Sequence, residues 1–462
     1  MSIPGRRPKI IVVGGGPSGG ACALTLARTG RFDVLMLDKS TYPRVKVCGS
    51  GLSPHAIKML DRLGLRERFA PHHGDIHTVL VRGPEGGELR LDAGITAWVV
   101  PRTELDHGIV QEAVLHGAEF REGTKVLGLL RDADGVTAGV TTEAGELEAD
   151  FVVCADGSPS RFSADGRPKS TIRTLVGWWR GTPWNGHEAH MIWDRRLAGY
   201  YAWMFPEPGG VVNIGLTIPE AAPEATHLKD LFQALLDEHW AEGLRNAEPL
   251  GKWMGHPAVT TTAIGPIAER RALWVGEAAR LVSPGTVEGI SFALESGYTA
   301  AGWIDRHFTA QYGLSPLACA GYRARTAANV LAKFWAGEGF ARAARSPRAR
   351  GWGERLIRGQ AAAWFNRTIS AVLDDKGAIA PRRGPAKAMA DFHAGVIAYA
   401  TDYEDTGVVA ANCFKCKKVE VLIARAQDDA IVWSCPRCNA EGRISNWQGT
   451  LWDLSNRPDA SN

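Results

Sequence analysis

The period of apolar and polar positions changes several times along the chain, and each change predicts an element. Lys9 to Val13 is a short continuous apolar run, the pattern of a buried strand. Residues 18–29, rich in Ala and Leu, read as a helix, and Phe32 to Leu37 as a second strand. Together they form a strand–helix–strand unit of the dinucleotide-binding kind. Thr96 to Val100 reads as another strand, followed by Pro101, Arg102 and a helix opened by Thr103, with Asp106 three residues on as a capping box. Phe151 to Ala155 is again a strand. From about 170 to 218 short aromatic-rich strands separated by Gly and Pro turns predict an antiparallel sheet. Leu273 to Gly276 is a short buried strand, residues 289–307 a helix, and Val419 to Ala424 and Ala430 to Trp433 two more strands.

Composition narrows the class. The 462 residues are 45% hydrophobic and 22% charged, which excludes disorder, collagen and a small disulfide scaffold. Fifty-three basic against 50 acidic residues leave a formal charge of +3, too balanced for bulk affinity to nucleic acid, and none is expected as a partner. Arg6, Arg7 and Lys9 followed by Ile10 to Val13 mimic a secretory signal, but the run breaks on Gly14, Gly15, Gly16 and Pro17. No stretch of about 18 uninterrupted apolar residues is present. A cytoplasmic location is expected. Two counts stand out: 53 Gly and 16 Trp.

Gly14-x-Gly16-x-x-Gly19, with Pro17 and Ser18 between, directly follows the first strand and opens the first helix. This is where glycines permit a tight turn and let backbone approach a pyrophosphate at a helix N-terminus. With this much Gly, about 0.7 such matches arise by chance in the chain, so context decides. Asp38 ends the second strand, where a carboxylate accepts ribose hydroxyls, and Lys39 follows it.

Three further segments identify the nucleotide as a flavin. Cys154-Ala-Asp156-Gly157-Ser158, the run Gly276-Glu277-Ala278-Ala279 with Ser283-Pro284 and Glu288-Gly289-Ile290, and Pro101-Arg102 resemble the motifs of the geranylgeranyl reductase branch of the flavoprotein hydroxylase-like superfamily. Tyr201-Ala-Trp203-Met-Phe205-Pro206 is similar to the aromatic signature of that branch. The resemblance covers roughly residues 8–335. It implies bound FAD, contacted along the dinucleotide by Asp156 and Gly157, at the ribityl chain and pyrophosphate by Gly276, Glu277, Gly289 and Ile290, and at the flavin by Arg102. The family usually has Asp where this chain has Glu277, so a longer side chain and a shifted backbone would be needed there. No second Gly-rich fingerprint exists, so the reductant, NAD(P)H or a ferredoxin, would dock transiently.

Tyr42-Pro43-Arg44-Val-Lys46-Val-Cys48-Gly49-Ser50-Gly51 resembles the family's loop beside the isoalloxazine ring. Arg44 and Lys46 would stabilise negative charge on the flavin or activate Cys48. Reduction of an isolated alkene needs a hydride and a proton; the Cys48 thiol or a held water supplies the proton, unless Cys48 is a small buried filler. His55 reads as a helix-surface residue. Trp178, Trp179, Trp184, Trp193, Trp203, Trp240 and Trp253 crowd the predicted sheet, where plain packing competes with an aromatic-walled pocket for a long apolar substrate. Tyr201, Trp203 and Phe205, which carry the signature, are assigned to substrate.

Cys413-x-x-Cys416, 18 residues, then Cys435-x-x-Cys438 has zinc-ribbon spacing: two knuckles bring four thiolates to one tetrahedral zinc, most such sites being structural, with two disulfides or a redox pair as the weaker alternatives. Ser445 to Leu454 resembles the ending of small bacterial zinc-ribbon proteins. Arg342, Arg345, Arg348, Arg350, Arg355 and Arg358, with Trp352, Leu356, Ile357, Trp364 and Phe365, form either a solvated helix face or a peripheral contact with the inner face of a membrane.

The expected fold is α/β. A Rossmann-like FAD-binding domain of the flavoprotein hydroxylase type (1–70, 96–168 and 260–310) is interleaved with an antiparallel-sheet substrate domain (71–95 and 169–259). A helical region (311–385) and a zinc-ribbon tail (386–462) follow, with Pro381 to Pro385 as linker. The expected activity is FAD-dependent reduction of carbon–carbon double bonds in a prenyl lipid or other hydrophobic molecule. Two alternatives stand beside it. One is a monooxygenase or halogenase acting through a flavin hydroperoxide, although the halogenase Trp-x-Trp-x-Ile-Pro signature is absent. The other is a non-enzymatic redox or partner-binding module built on the ribbon.

Overall fold

The first strand, Lys9–Val13, is buried almost from end to end because it has a parallel neighbour on each side, Asp33–Leu37 and Phe151–Cys154. In this computed structural model the described residues are 6–163, 170–184 and 186–349, with parts of the region from Phe392 to Ile444. The first sheet has six strands in the order Ala268–Glu269, Ala272–Trp274, Phe151–Cys154, Lys9–Val13, Asp33–Leu37, Glu119–Arg121. All pairings are parallel except the short hairpin at the Ala268 edge. The helix after the first strand is Pro17–Arg28, with Pro17 at its first position. It lies against the helix Ile290–His307 so closely that a Cβ on Gly297 would sit 2.1 Å from the Ser18 carbonyl oxygen.

The helix after Pro101 differs from its expected start. It spans Arg102–Leu115, Pro101 is its cap, and no side chain caps it. Asp106 is fully buried and serves two arginines instead, a demand stronger than a cap. The predicted strand at Thr96 is the end of a longer one, Glu88–Val99, and belongs to the second sheet.

That second sheet runs Glu248–Pro249, Ser170–Arg180, Val211–Pro219, Tyr201–Glu207, Glu188–Trp193, Gly74–Arg82, Glu88–Val99, Gly51–Leu52, with Met254–Thr260 also paired to Ser170–Arg180. Alternation sorts its side chains. Ala202 and Met204, with Val212, Ile214, Leu216, Ile218 and Trp179, face a core closed by the helix Leu228–His239 and the buried Trp240. Tyr201, Trp203 and Phe205 take the opposite face. A small sheet of Val126–Arg131, Thr137–Thr142 and Gly145–Glu148, and the long helix Pro316–Arg345, complete the first unit, residues 1–375.

The second unit is residues 376–462. Its described residues hold a three-stranded antiparallel sheet, Leu422–Arg425, Ile431–Ser434 and Glu441–Ile444, with Trp433 and Ile431 buried in a small core. The linker at Pro381 to Pro385, Ser445 to Leu454, and the basic segment from Arg350 on lie outside the described residues.

Candidate active site

The turn after the first strand is made by glycines for reasons of space. A Cβ on Gly14, whose φ is +106°, would lie 2.3 Å from the Ala155 carbonyl oxygen, and one on Gly19 1.9 Å from that of Gly14. Gly16 caps the helix, and its open side faces the guanidinium groups of Arg44 and Arg102. A helix N-terminus and two arginines therefore meet at one point, a site for an anion. Asp38 accepts from Gly15 N at 2.8 Å, the Tyr42 hydroxyl at 3.0 Å and Ser40 N at 2.9 Å. Burial, followed by the charge of Asp38, pushes the Tyr42 hydroxyl well above its ordinary range. Lys39 is exposed, and its charge reaches Asp156.

Arg102 grips Asp106 with two hydrogen bonds of 2.7 Å, and Arg44 reaches the same carboxylate at 2.7 Å. One buried carboxylate thus holds two guanidinium groups, leaving a net positive charge. Despite burial, which opposes the charged form, Asp106 holds the Arg102 guanidinium firmly protonated. Cys48 lies within electrostatic reach of Arg102, and its sulfur accepts from Ser50 N at 3.3 Å.

The Cys48 loop rests on the open face of the second sheet. A Cβ on Gly49 would meet the Trp203 indole nitrogen at 2.9 Å, and one on Gly51 would meet the Phe205 ring at 3.0 Å. Asn213, in the middle of an apolar strand, accepts from Trp203 Nε1 at 2.7 Å and donates to the Gly49 carbonyl at 3.1 Å and Glu207 at 2.9 Å. Trp178 also donates to Glu207, whose carboxyl burial pushes upward. The Tyr201 hydroxyl donates to the Thr286 carbonyl. The three aromatic side chains are thus held in fixed orientation beside Cys48.

The remaining predicted residues come from two loops. Asp156 accepts from Ser160 Oγ at 2.8 Å and Arg161 N at 2.9 Å, so its carboxylate braces its own turn, and Gly157 sits at φ +82°. Gly276, at φ +57°, packs on Ser18, and its N–H donates to Ser296. Gly289 caps the helix that begins at Ile290 and lies against the Glu277 carboxylate. Four buried polar atoms here have no hydrogen-bond partner: Glu277 Oε2, Ser158 Oγ, Ser291 Oγ and His256 Nε2. Ser158, Asn213 and His256 were not legible as site residues, although a lone Asn inside Val-Val-Asn-Ile-Gly was a signal. His55 is corrected: it is largely buried, its Nε2 3.2 Å from Glu295 and its ring beside Phe292, because the helix it opens packs on Ile290–His307.

Burial first, then the charge of Lys46, pushes the His256 imidazole down to about 4, so it is neutral near pH 7. Lys46 is itself pushed down by burial, against the pull of Glu277.

In the second unit the four cysteine sulfurs lie within 4.8 Å of one another, with Cys413 to Cys438 at 3.6 Å and Cys416 to Cys435 at 3.7 Å. Asp194, Glu238 and His239 also cluster, but Arg196 spans both carboxylates.

An anion-ready helix terminus, a ribose-ready carboxylate and unpartnered hydroxyl and carboxylate atoms beyond them fit a dinucleotide with a polyol arm, and so fit FAD. The comparisons agree. The FAD binding domain family matches residues 7–174. A menaquinone reductase of Mycolicibacterium smegmatis is 31% identical over 335 residues, covering 64% of this chain and 76% of its own. A digeranylgeranylglycerophospholipid reductase of Methanopyrus kandleri is 28% identical over 308 residues, 63% of this chain and 75% of its own. The solved structure of a geranylgeranyl bacteriochlorophyll reductase-like protein from Thermoplasma acidophilum superposes with a TM-score of 0.65 at 21% identity, covering 79% of this chain and 91% of its own, which is a likeness of fold. The fold and site define an FAD-dependent oxidoreductase of the flavoprotein hydroxylase type. Within that class the chain belongs to the geranylgeranyl reductase family.

Proposed function

We propose that this oxidoreductase saturates a carbon–carbon double bond in the prenyl chain of a hydrophobic molecule, a lipid quinone of the menaquinone kind being the first to test. The observation that carries the reading is the direct packing of Trp203 and Phe205 on the Cys48 loop. It sets an apolar wall beside a proton-bearing group. FAD, when bound, supplies the hydride. Gly14, Gly16, Pro17, Ser18, Gly19, Asp38, Lys39, Arg44, Cys48, Gly49, Arg102, Asp156, Gly157, Gly276, Glu277, Gly289 and Ile290 are the proposed cofactor-binding residues. Tyr201, Trp203 and Phe205 position the alkene, and the Cys48 S–H gives its proton to the second carbon. The thiolate left behind keeps the hydrogen bond from Ser50 N and lies within reach of the Arg102 charge, and a proton from solvent restores it. One hydride and one proton add across one double bond, so the step balances.

NAD(P)H or a ferredoxin is proposed as electron donor. The catalytic region comprises the interleaved FAD and substrate domains, 1–70, 96–168 and 260–310 with 71–95 and 169–259. Cys413, Cys416, Cys435 and Cys438 are proposed to hold one structural zinc in the tail, 386–462. No helix among the described residues is long and apolar enough to cross a membrane; a cytoplasmic enzyme working at the inner membrane face is the proposed setting. The test is anaerobic: the reduced, FAD-loaded protein is mixed with a menaquinone in detergent. Reoxidation with a product two mass units heavier is expected, and reoxidation by oxygen alone would refute the reading.

A further inference from the structure

The strand Tyr201–Glu207 carries Tyr201, Trp203 and Phe205 on one face, and by alternation the next side chain on that face is Glu207. The proposed reaction makes no use of it. Its Oε1 accepts from Trp178 Nε1 at 3.0 Å and from Asn213 Nδ2 at 2.9 Å. Both donors are neutral, and among the described residues no cation pairs with the carboxylate. Burial pushes the Glu207 carboxyl up, while the two hydrogen bonds hold it down. A carboxylate drawn out of water without a counter-charge is costly, so its place asks for a reason.

The strand register supplies one. Asn213 lies directly opposite Phe205 on one side and Trp178 on the other, so these side chains share the face of Trp203. The Asn213 amide is fully used. Its Oδ1 accepts from Trp203 Nε1 at 2.7 Å, and Nδ2 gives one hydrogen to Glu207 and the other to the Gly49 carbonyl at 3.1 Å. An indole N–H only donates, and a carbonyl or carboxylate only accepts, so a single orientation of the amide satisfies all three. A charged acceptor on Nδ2 polarises the amide and makes Oδ1 the stronger acceptor for Trp203. A side chain without an acceptor at 207 would leave one amide N–H unpaired and release the Trp178 indole.

We infer that Glu207 is a positioning residue of the reacting site: through one oxygen it orients the Asn213 amide, which holds the Trp203 indole and the Gly49 carbonyl together, and it draws Trp178 into the same wall. The network joins three adjacent strands, Ser170–Arg180, Val211–Pro219 and Tyr201–Glu207, to the Cys48 loop. Wall and loop therefore keep one spacing. The consequence for turnover rests on the reductase reading, in which Trp203 positions the alkene beside Cys48. The hydrogen-bonded placement does not.

The experiment uses the FAD-loaded protein labelled with nitrogen-15 tryptophan and followed by NMR. Trp178→Phe and Trp203→Phe identify the two indole N–H signals. In Glu207→Leu both signals are expected to move upfield, and kcat to fall about tenfold with FAD affinity kept. Glu207→Gln, whose amide oxygen accepts from both donors, should retain most of the signal positions and of kcat. Trp178→Phe keeps a ring in place and leaves Asn213 without a competitor for Oε1, so the Trp203 signal should move downfield. That variant carries the test if Glu207→Leu does not fold. An unmoved Trp203 signal in Glu207→Leu or in Trp178→Phe would overturn the inference, as would equal losses in Glu207→Gln and Glu207→Leu. Signals that move as expected, with no alkene reduction by the unaltered protein, would sink the proposed reaction alone.

Discussion

The two faces of the nine-stranded sheet use the same residue types for opposite ends. On one face Trp179 and Trp240 are almost wholly buried against Phe232, Leu235 and Leu236, with Trp184 and Trp253 at the margin. Their role is packing. On the other, Tyr201, Trp203 and Phe205 sit two residues apart; Tyr201 is tethered to Thr286 and Trp203 to Asn213, which also donates to Gly49 of the Cys48 loop, while Phe205 packs on Gly51. Trp203 is as buried as Trp179, so the two faces differ in the polar tethers of their rings and not in exposure. The difference shows why a count of tryptophans cannot by itself announce a binding wall.

The contrast yields ordered expectations. Trp240→Ala should cost about 3–5 kcal/mol in a denaturant titration, with whatever folds still binding flavin; an equal loss of flavin affinity would erase the distinction between the faces. Asn213→Ala strips partners from Trp203 Nε1, Gly49 and Glu207 at once and should cost about 1–3 kcal/mol, with lower turnover because the Cys48 loop is released. Gly49→Ala drives a methyl into the Trp203 indole. It should reduce turnover at least tenfold while shifting the melting temperature by only a few degrees, and unchanged turnover would detach the loop from the wall. The last effect is a pH slope. His256 binds its proton near pH 4 in the folded state and near 6.5 unfolded. The unfolded chain therefore takes up protons first, and stability should fall as pH drops from about 6.5 towards 4. In His256→Gln that component of the slope should vanish, as read by urea midpoints at several pH values.

Much of this was legible because local pattern and tertiary demand coincide. The apolar run Lys9–Val13, the glycines after it and Asp38 specify the nucleotide turn within thirty residues. The cysteine spacing likewise converges on four neighbouring sulfurs. Asp106 reads as a capping residue because sequence proximity to Thr103 is visible and distance to Arg44 is not. His55 reads as exposed for the same reason: its partner Glu295 lies 240 residues away. His256 bears no motif; its strand comes from a part of the chain that no fingerprint marks.

Gly215 lies directly across from Trp203, where a Cβ would be 2.3 Å from the indole, just as Gly177 makes room for Trp179 and Gly243 for Trp184. Each pair is a slot and its insert, so the abundance of glycine and the abundance of tryptophan share a cause at these positions. The slot at Gly215 is then a ready receptor. Removing the insert with Trp203→Gly would leave an apolar recess shaped for a bicyclic aromatic. Free indole added to that variant should settle there and restore some of the lost turnover, whereas benzene, too small to reach Asn213, should restore less.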